Sequence, residues 1–597
     1  MKHHNKMFIY IYIILINIIT IKGDLPVDCK AENVFGTWKF YIEAFSFVPS
    51  LSNIKTTCGH GFPNTISKLI GDTDYKYFKS NTSITITLGN DFNVYEDTFK
   101  VGYWTQIYNQ AFLIKYKDVI LTASFKYYLD PNDKLTYISN CGKTMIGWYN
   151  EGEMWSCMYG MRINNENSYL SFIQVKNKNI LNDNSNTNNH HLKYYLFNNL
   201  QYNEMANLVK EINDNNLIWK ATLYDQYKDK PLNYMLKQQG LLNKKLFAFH
   251  RANYSPFIIS LLQKKTFHTN HKRKLEFLRK ELQKPSEHLN TTSNNNNNKS
   301  IHRTYKLKSN NVIHDIDSQY VTNYNEVIKY IKTPLNEINE NTLPLNWDWR
   351  NVGGVSYIPE PLSQGDCGSC YTFSTIQSLE SRLRIKTNNK DHTQFSIQFP
   401  LSCNFYSEGC DGGYPILVAK FLSEFELVPK KCFEYTATNN KCSNVCDNYQ
   451  LYPLKYKVSE YGYLGGFYGG TNEILMMKEI RARGPIPGNM KVPFSFNFYK
   501  EGIFSTKEVK YNSQSLSKVR LVDMNLSFES VDHSVVLVGY GEENGVKYWI
   551  GMNTWGKEWG EGGYFRIVRG ENEQSIETMG DYFNIEVYDR ETGELIY

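Results

Sequence analysis

The chain has 597 residues, more than one hydrophobic core organises, so two or three folded units are expected. Its 41% hydrophobic content suits globular domains and excludes a largely disordered chain. A net charge of +6, from 66 basic and 60 acidic residues without a dense Lys/Arg block, gives no case for nucleic acid or another polyanion as partner.

Lys2 and Lys6 precede an apolar run from Met7 to Ile21. That run is short for a membrane span, which needs ~20 residues. A basic start before a short apolar run predicts a signal peptide over residues 1–23, cleaved between Gly23 and Asp24; a membrane anchor is the other reading of the same run. No second run of spanning length follows. The mature protein is therefore expected in the secretory pathway, without a membrane span.

Residues 24–160 read as β-structure. In SITITL (Ser83–Leu88), Ile84, Ile86 and Leu88 alternate with Thr85 and Thr87, and FLIKY (Phe112–Tyr116) and VILTASFKYYL (Val119–Leu129) follow closely. Strands so near together predict an antiparallel sandwich or barrel. Residues 161–342 change in character, with Asn-rich inserts near residue 177 and at Thr291–Ser300. Between them Met205, Leu208, Val209 and Ile212 recur at helical spacing. The basic stretch Lys264–Lys284 reads as a solvated helix face. This region is expected to be a helical piece within disordered, cleavable sequence. The last unit, 343–597, opens with LPLNWDWRNVGG at Leu343, where the Asn tracts stop.

The chemistry concentrates in three stretches of that unit. In Ser363–Ile385 a Gly-rich turn leads through Cys370 into an amphipathic helix, with Phe373, Ile376 and Leu379 at helical spacing. A cysteine at a helix N-terminus is biased towards the reactive thiolate. Gln364, six residues earlier, can share an oxyanion hole with the Cys370 N–H. VDHSVVLVGYG (Val531–Gly541) offers His533 before an apolar strand, and the stretch Tyr548–Ile567 supplies Asn553 to orient the ring and Trp555 to cover that contact. A single histidine before a strand is more often structural; the conjunction of all three stretches carries the reading. Eleven cysteines in a secreted chain leave at least one thiol outside disulfides.

The stretch QGDCGSCY resembles the nucleophile signature of papain-class cysteine peptidases, although His533 lies somewhat beyond the ~130–150 residues usual for that signature. The excess is assigned to a surface insertion within Thr506–Ser530. LPLNWDWRNV, QGDCGSCYTFS, GCDGGYP (Gly409–Pro415), EYGYLGGFYGG (Glu460–Gly470) and GEGGYFRI (Gly560–Ile567) resemble the peptidase domain of the dipeptidyl peptidase I (cathepsin C) family. DLPVDC (Asp24–Cys29) and GTWKF (Gly36–Phe40) resemble the start of that family's exclusion domain. CGKTMIGW (Cys141–Trp148) and IWKATLYDQY (Ile218–Tyr227) resemble later parts of its pro-region.

The resemblance implies an α+β architecture: an antiparallel β-barrel exclusion domain, a helical pro-region, then a two-lobed papain-like domain. It implies a cysteine-type enzyme that removes dipeptides from free N-termini of peptides and proteins, with Cys370, His533, Asn553 and Gln364 as catalytic residues. The Asp24 carboxylate would hold the substrate's α-amine. The pairing implied is Cys29–Cys141, Cys58–Cys157, Cys367–Cys410, Cys403–Cys442 and Cys432–Cys446, which leaves Cys370 as the thiol. The family's chloride site matches Tyr414, Ile416 and Tyr463; Ile416 stands where the family has tyrosine, so its side-chain contact is lost. No metal or organic cofactor is implied. Asp532 and Thr554 depart mildly from the family, where Asn and Ser are usual. Processing proteases and a homotetramer are further implied partners. Sequons mark Asn81, Asn253, Asn290, Asn298 and Asn525 for glycosylation. The Asn tracts are similar to those of AT-rich protozoan genomes, malaria parasites included, which points to a lysosome-like or digestive-vacuole compartment, or to secretion. Two other classes stay open here: a papain-like endopeptidase, and a non-enzymatic binding protein on a peptidase scaffold.

Overall fold

The computed structural model describes residues 27–44, 58, 78–163, 170–173, 202–238, 333–446, 451–507 and 531–597, apart from a few positions within these ranges. The expected signal peptide, Asp24, the stretch Lys264–Lys284, both Asn-rich inserts, most of the 506–530 insertion and the sequons at Asn253, Asn290, Asn298 and Asn525 lie outside the described residues.

A one-turn helix α1 (Ala31–Val34) leads into β1 (Gly36–Ile42), β2 (Thr82–Leu88), β3 (Asn93–Glu96), β4 (Phe99–Ile107), β5 (Ala111–Tyr116), β6 (Val119–Asp130), β7 (Asp133–Thr144), β8 (Gly147–Glu151), β9 (Met154–Arg162) and β10 (Leu170–Ile173). Antiparallel pairing runs β1-β2-β3-β4-β5-β6-β8-β9 and returns from β9 to β1, closing an eight-stranded barrel. Closure removes the exposed edges an open sheet would carry. The β2 alternation is realised: Ile86 and Leu88 are buried and Thr85 is exposed. Trp38, Phe40 and Phe112 interlock in the interior with ring centroids about 6 Å apart. Disulfides Cys29–Cys141 and Cys58–Cys157 fasten this unit.

Helix α2 (Tyr202–Asp214) buries Met205, Leu208 and Ile212, and β11 (Trp219–Ala221) follows. The last unit contains β12 (Trp347–Asp348), α3 (Cys370–Lys386), α4 (Gln398–Cys403), α5 (Pro415–Glu424), β13 (Leu454–Tyr463), α6 (Glu473–Arg483), β14 (Ile486–Met490), β15 (Tyr499–Phe504), β16 (His533–Glu543), β17 (Val546–Met552), β18 (Tyr564–Val568) and β19 (Asp581–Asp589). Helices α3 to α5 build one lobe; the sheet β11-β15-β18-β17-β16-β12, with β14 also on β16, builds the other. The helical lobe carries the disulfides Cys367–Cys410, Cys403–Cys442 and Cys432–Cys446. Arg382 of α3 and Glu479 of α6, both buried, meet at 2.8 Å and link the lobes.

Two attachments cover the peptidase-like unit. The 202–238 segment joins the sheet lobe: β11 pairs with β15, and Trp219 Nε1 donates to the Ser505 carbonyl at 3.0 Å. Gly502 stands opposite Trp219 at φ +96°, where a Cβ would lie 2.3 Å from the Ile218 carbonyl oxygen, so only glycine permits this approach. The barrel joins the helical lobe. Phe92 stacks on Phe467 at 4.1 Å, Tyr108 on Tyr414 at 3.8 Å, and Trp148 meets Tyr406 at 4.6 Å. Under these rings the fully buried Lys420 ammonium donates to Asn150 Oδ1 of β8 at 3.0 Å and pairs with Glu424, which also accepts from the Tyr406 hydroxyl at 2.9 Å.

A buried charge left without its partner is costly, whereas an apolar replacement of both partners is nearly neutral. Lys420→Met alone is therefore expected to destabilise the protein by roughly 3–5 kcal/mol, and Lys420→Met with Glu424→Leu to recover most of that loss. Thermal unfolding of both variants checks this.

Candidate active site

Cys370 is the first residue of α3, fully buried, and is the cysteine left outside the five disulfides. Its position follows from the local chain: Gly365 adopts φ +60° in the preceding turn, and Ser369 caps the helix start. The cap is held from the side. The Tyr435 hydroxyl lies 2.6 Å from Ser369 Oγ and donates to the Gln364 carbonyl at 2.6 Å. No acidic residue occupies the first turn of α3, so the helix end keeps its positive character toward a thiolate.

His533 opens β16 opposite Met490 of β14. Its Nε2 is 2.9 Å from Asn553 Oδ1, and the Trp555 ring covers it with centroids 5.1 Å apart. Nδ1 has no hydrogen-bond partner among the described residues, which leaves that nitrogen for proton exchange. One turn along α3 from Cys370, Ser374 Oγ sits 2.8 Å from Ser534 Oγ, the residue after His533. The helix that begins at Cys370 and the strand that begins at His533 therefore run side by side.

Gln364 is fully buried and every polar atom of its side chain is engaged. Its Oε1 accepts from the Thr554 hydroxyl. Its Nε2 donates to the carbonyls of Cys367 at 2.8 Å and Gln238 at 2.9 Å. Gln364 N also donates to the Thr554 carbonyl at 2.8 Å. Thr554 thus fixes the orientation of the amide, and the carbonyls of Gln238 and Cys367 take its N–H groups.

Burial lowers the His533 pKa to about 4, with the Asn553 contact acting the other way. Burial also raises Asp532 to about 7, against a hydrogen bond from the Val492 N–H at 2.8 Å. Glu380 and Asp581 are likewise raised to about 7 by burial.

Of the expected chloride residues, Tyr414 caps the N-terminus of α5, Ile416 lies within its first turn, and Tyr463 ends β13; all three are buried. Tyr463 faces Asp581 across the β13–β19 pair. Asp581 is fully buried, so a carboxyl group borders the place where an anion was expected. The residues do not fit a chloride ion. Among the described residues no group of three or more His, Cys, Asp or Glu could hold a metal ion. Asn81 is exposed, just before β2. Sequence reasoning did not find Gln238, Tyr435 or Asp581. Gln238 carries no motif. Tyr435 was signalled only by its place between Cys432 and Cys442, and Asp581 by an acidic residue in an otherwise apolar alternation.

Residues 343–583 match the papain family cysteine protease family, and residues 24–162 match the cathepsin C exclusion domain. The chain is 38% identical to cathepsin C of Schistosoma mansoni over 42% of this chain and 54% of that protein, about half of that relative's length. It is 26% identical to dipeptidyl aminopeptidase 1 of Plasmodium falciparum (isolate 3D7) over 93% of both chains. It is 31% identical to cathepsin Z of Onchocerca volvulus over 40% of this chain and 74% of that protein.

The buried groups set a pH dependence. Between about pH 4 and 7, folded Glu380, Asp532 and Asp581 keep protons that the unfolded chain has released, so acidification stabilises the fold. His533 acts oppositely between about pH 4 and 6.5, because there the unfolded chain holds the proton. Three groups outweigh one. The thermal midpoint is expected to be higher at about pH 5.5 than at about pH 7.5, with each carboxyl contributing on the order of 1–2 kcal/mol. Scanning calorimetry at the two pH values checks the sign.

Proposed function

Because the chain belongs to the papain family of cysteine proteases and carries a cathepsin C exclusion domain, we propose that it is a dipeptidyl aminopeptidase, cutting two residues at a time from free N-termini of peptides and proteins. The observation that carries the exopeptidase reading is the docking of the barrel beside the nucleophile. Cys29 is tied to the β4–β5 turn, its N–H donating to the Asn109 carbonyl at 2.8 Å and its carbonyl accepting from Gln106 Nε2 at 2.5 Å. That turn's Tyr108 packs on Tyr414. The neighbouring Gly413 has no room for a Cβ, which would lie 2.5 Å from the ring of Tyr371, the residue after Cys370. Asp24, once exposed by removal of residues 1–23, is five residues from this anchor. Its carboxylate is the proposed partner of the substrate ammonium, which would otherwise be left uncompensated in a closed cleft.

In the reaction, the Cys370 thiolate attacks the carbonyl carbon of the second substrate residue. Gln364 Nε2 and the Cys370 N–H stabilise the oxyanion. His533, holding the proton taken from the Cys370 thiol, donates it to the leaving amine as the C–N bond breaks, then takes one from the water that hydrolyses the thioester. Asn553 orients the ring. The described form is latent, since Gln238 holds the donor meant for the oxyanion. A processing protease acting in the 161–342 region would release it. An acidic, lysosome-like or vacuolar compartment, or secretion, is the proposed setting, and a homotetramer the proposed assembly.

The test is hydrolysis of a fluorogenic dipeptide by the processed protein, with the N-terminus free and then acetylated. Cleavage of the free form alone, lost in Cys370→Ala, is the expected result. Cleavage of both identifies an endopeptidase, and cleavage of neither a binding scaffold. Thr554→Val is expected to lower kcat roughly tenfold to a hundredfold with little change in KM, because it frees the Gln364 amide to turn away from the oxyanion. Processing between residues 239 and 332 is expected to speed alkylation of Cys370 by an epoxide inhibitor at least about tenfold, measured by mass spectrometry before and after cleavage.

A further inference from the structure

We propose that Asp581 takes the place that the family resemblance gives to chloride, so that this chain fills its anion position with its own carboxyl group and binds no halide there. The β13–β19 register puts Asp581 directly opposite Tyr463. Directly opposed residues on one face of an antiparallel pair have Cβ atoms about 4.5–5.5 Å apart. Both are buried, at 1% and 2% exposure. One carboxyl oxygen of Asp581 accepts from Asn489 Nδ2 at 2.8 Å. The other oxygen and the Tyr463 hydroxyl each lack a hydrogen-bond partner among the described residues, and the carboxyl acts electrostatically on that hydroxyl.

The surroundings decide what this position accepts. Tyr108 of the barrel, Tyr414 and Tyr468 close around the pair. Among the described residues no cation acts on Asp581. A halide would therefore share with a carboxylate a buried space that no described cation enters, and two buried like charges disfavour one another. In its neutral form the carboxyl still fills the position beside Tyr463. Ile416, two residues after Tyr414, contributes no hydroxyl, so the chain offers one donor fewer than the family resemblance gives this position. Asn489 is adjacent to Met490, the cross-strand partner of His533, so the position lies two steps from the catalytic ring.

The experiment reads binding rather than turnover, so its failure is distinct from failure of the peptidase reading. Thermal unfolding of the full chain and of Asp581→Asn is compared in sodium bromide and in sodium gluconate at equal ionic strength, at acidic and neutral pH. The wild-type midpoint is expected to be the same in both salts. Asp581→Asn, whose amide N–H groups create an anion seat beside Tyr463, is expected to gain several degrees in bromide. Anomalous diffraction from wild-type crystals soaked in bromide is expected to show no peak at Tyr463, and this holds the proposal testable even if the variant does not fold. A bromide peak there, a halide response of the wild type, or a folded Asp581→Asn indifferent to bromide overturns it.

Discussion

A thiol on one lobe and an imidazole on the other can act together only if the seam between the lobes is fixed. Here the seam is fixed at Gln364 and Thr554. The backbone N–H of Gln364 bonds to the Thr554 carbonyl, and the Thr554 hydroxyl bonds to the Gln364 side chain. Ser363 and Trp555 bridge in the same place. The loop before the nucleophile and the loop after Asn553 are thereby one structure. Tyr435 adds a third anchor through the Gln364 carbonyl and Ser369. These contacts sit in a buried region, where an orphaned polar group costs about 1–3 kcal/mol, so the arrangement resists sliding.

The two attachments act on opposite lobes. The barrel shares a hydrophobic core with the helical lobe, through Tyr108, Trp148 and Trp155. The 202–238 segment shares a core with the sheet lobe, through Trp219 and Tyr227. In the proposed function the barrel restricts which chain ends approach Cys370, while the segment places the Gln238 carbonyl on the Gln364 amide. The barrel is held to its lobe by stacked rings and by the buried Lys420, and the segment to its lobe by a three-residue strand, hydrogen bonds and the apolar side chains of that shared core.

Much of this was legible in the sequence because the signals were local. The Ser83–Leu88 alternation became β2, the Met205–Ile212 spacing became α2, and the turn before Cys370 placed it at the start of α3. Gln364, His533 and Asn553 could be named because each lies in a short motif, and the structure brings Gln364 and Asn553 to the two sides of Thr554. What could not be read depends on distant pairing. The contact between Gln238 and Gln364 spans 126 positions and involves a backbone carbonyl, which no residue type announces. The charge carried by Asp581 is visible in the sequence, but its place opposite Tyr463 follows from the register of β13 on β19, and register is a property of the folded sheet.

The docked barrel is proposed to make a papain-type site cut by dipeptides from the N-terminus. The most direct measurement is mass spectrometry of an unblocked peptide of a dozen or more residues, sampled over time with the processed protein. The account predicts a ladder of products, each shorter by two residues from the N-terminal end, with the C-terminal fragment intact at every step. Internal cleavage at early times, or single-residue steps, would contradict it.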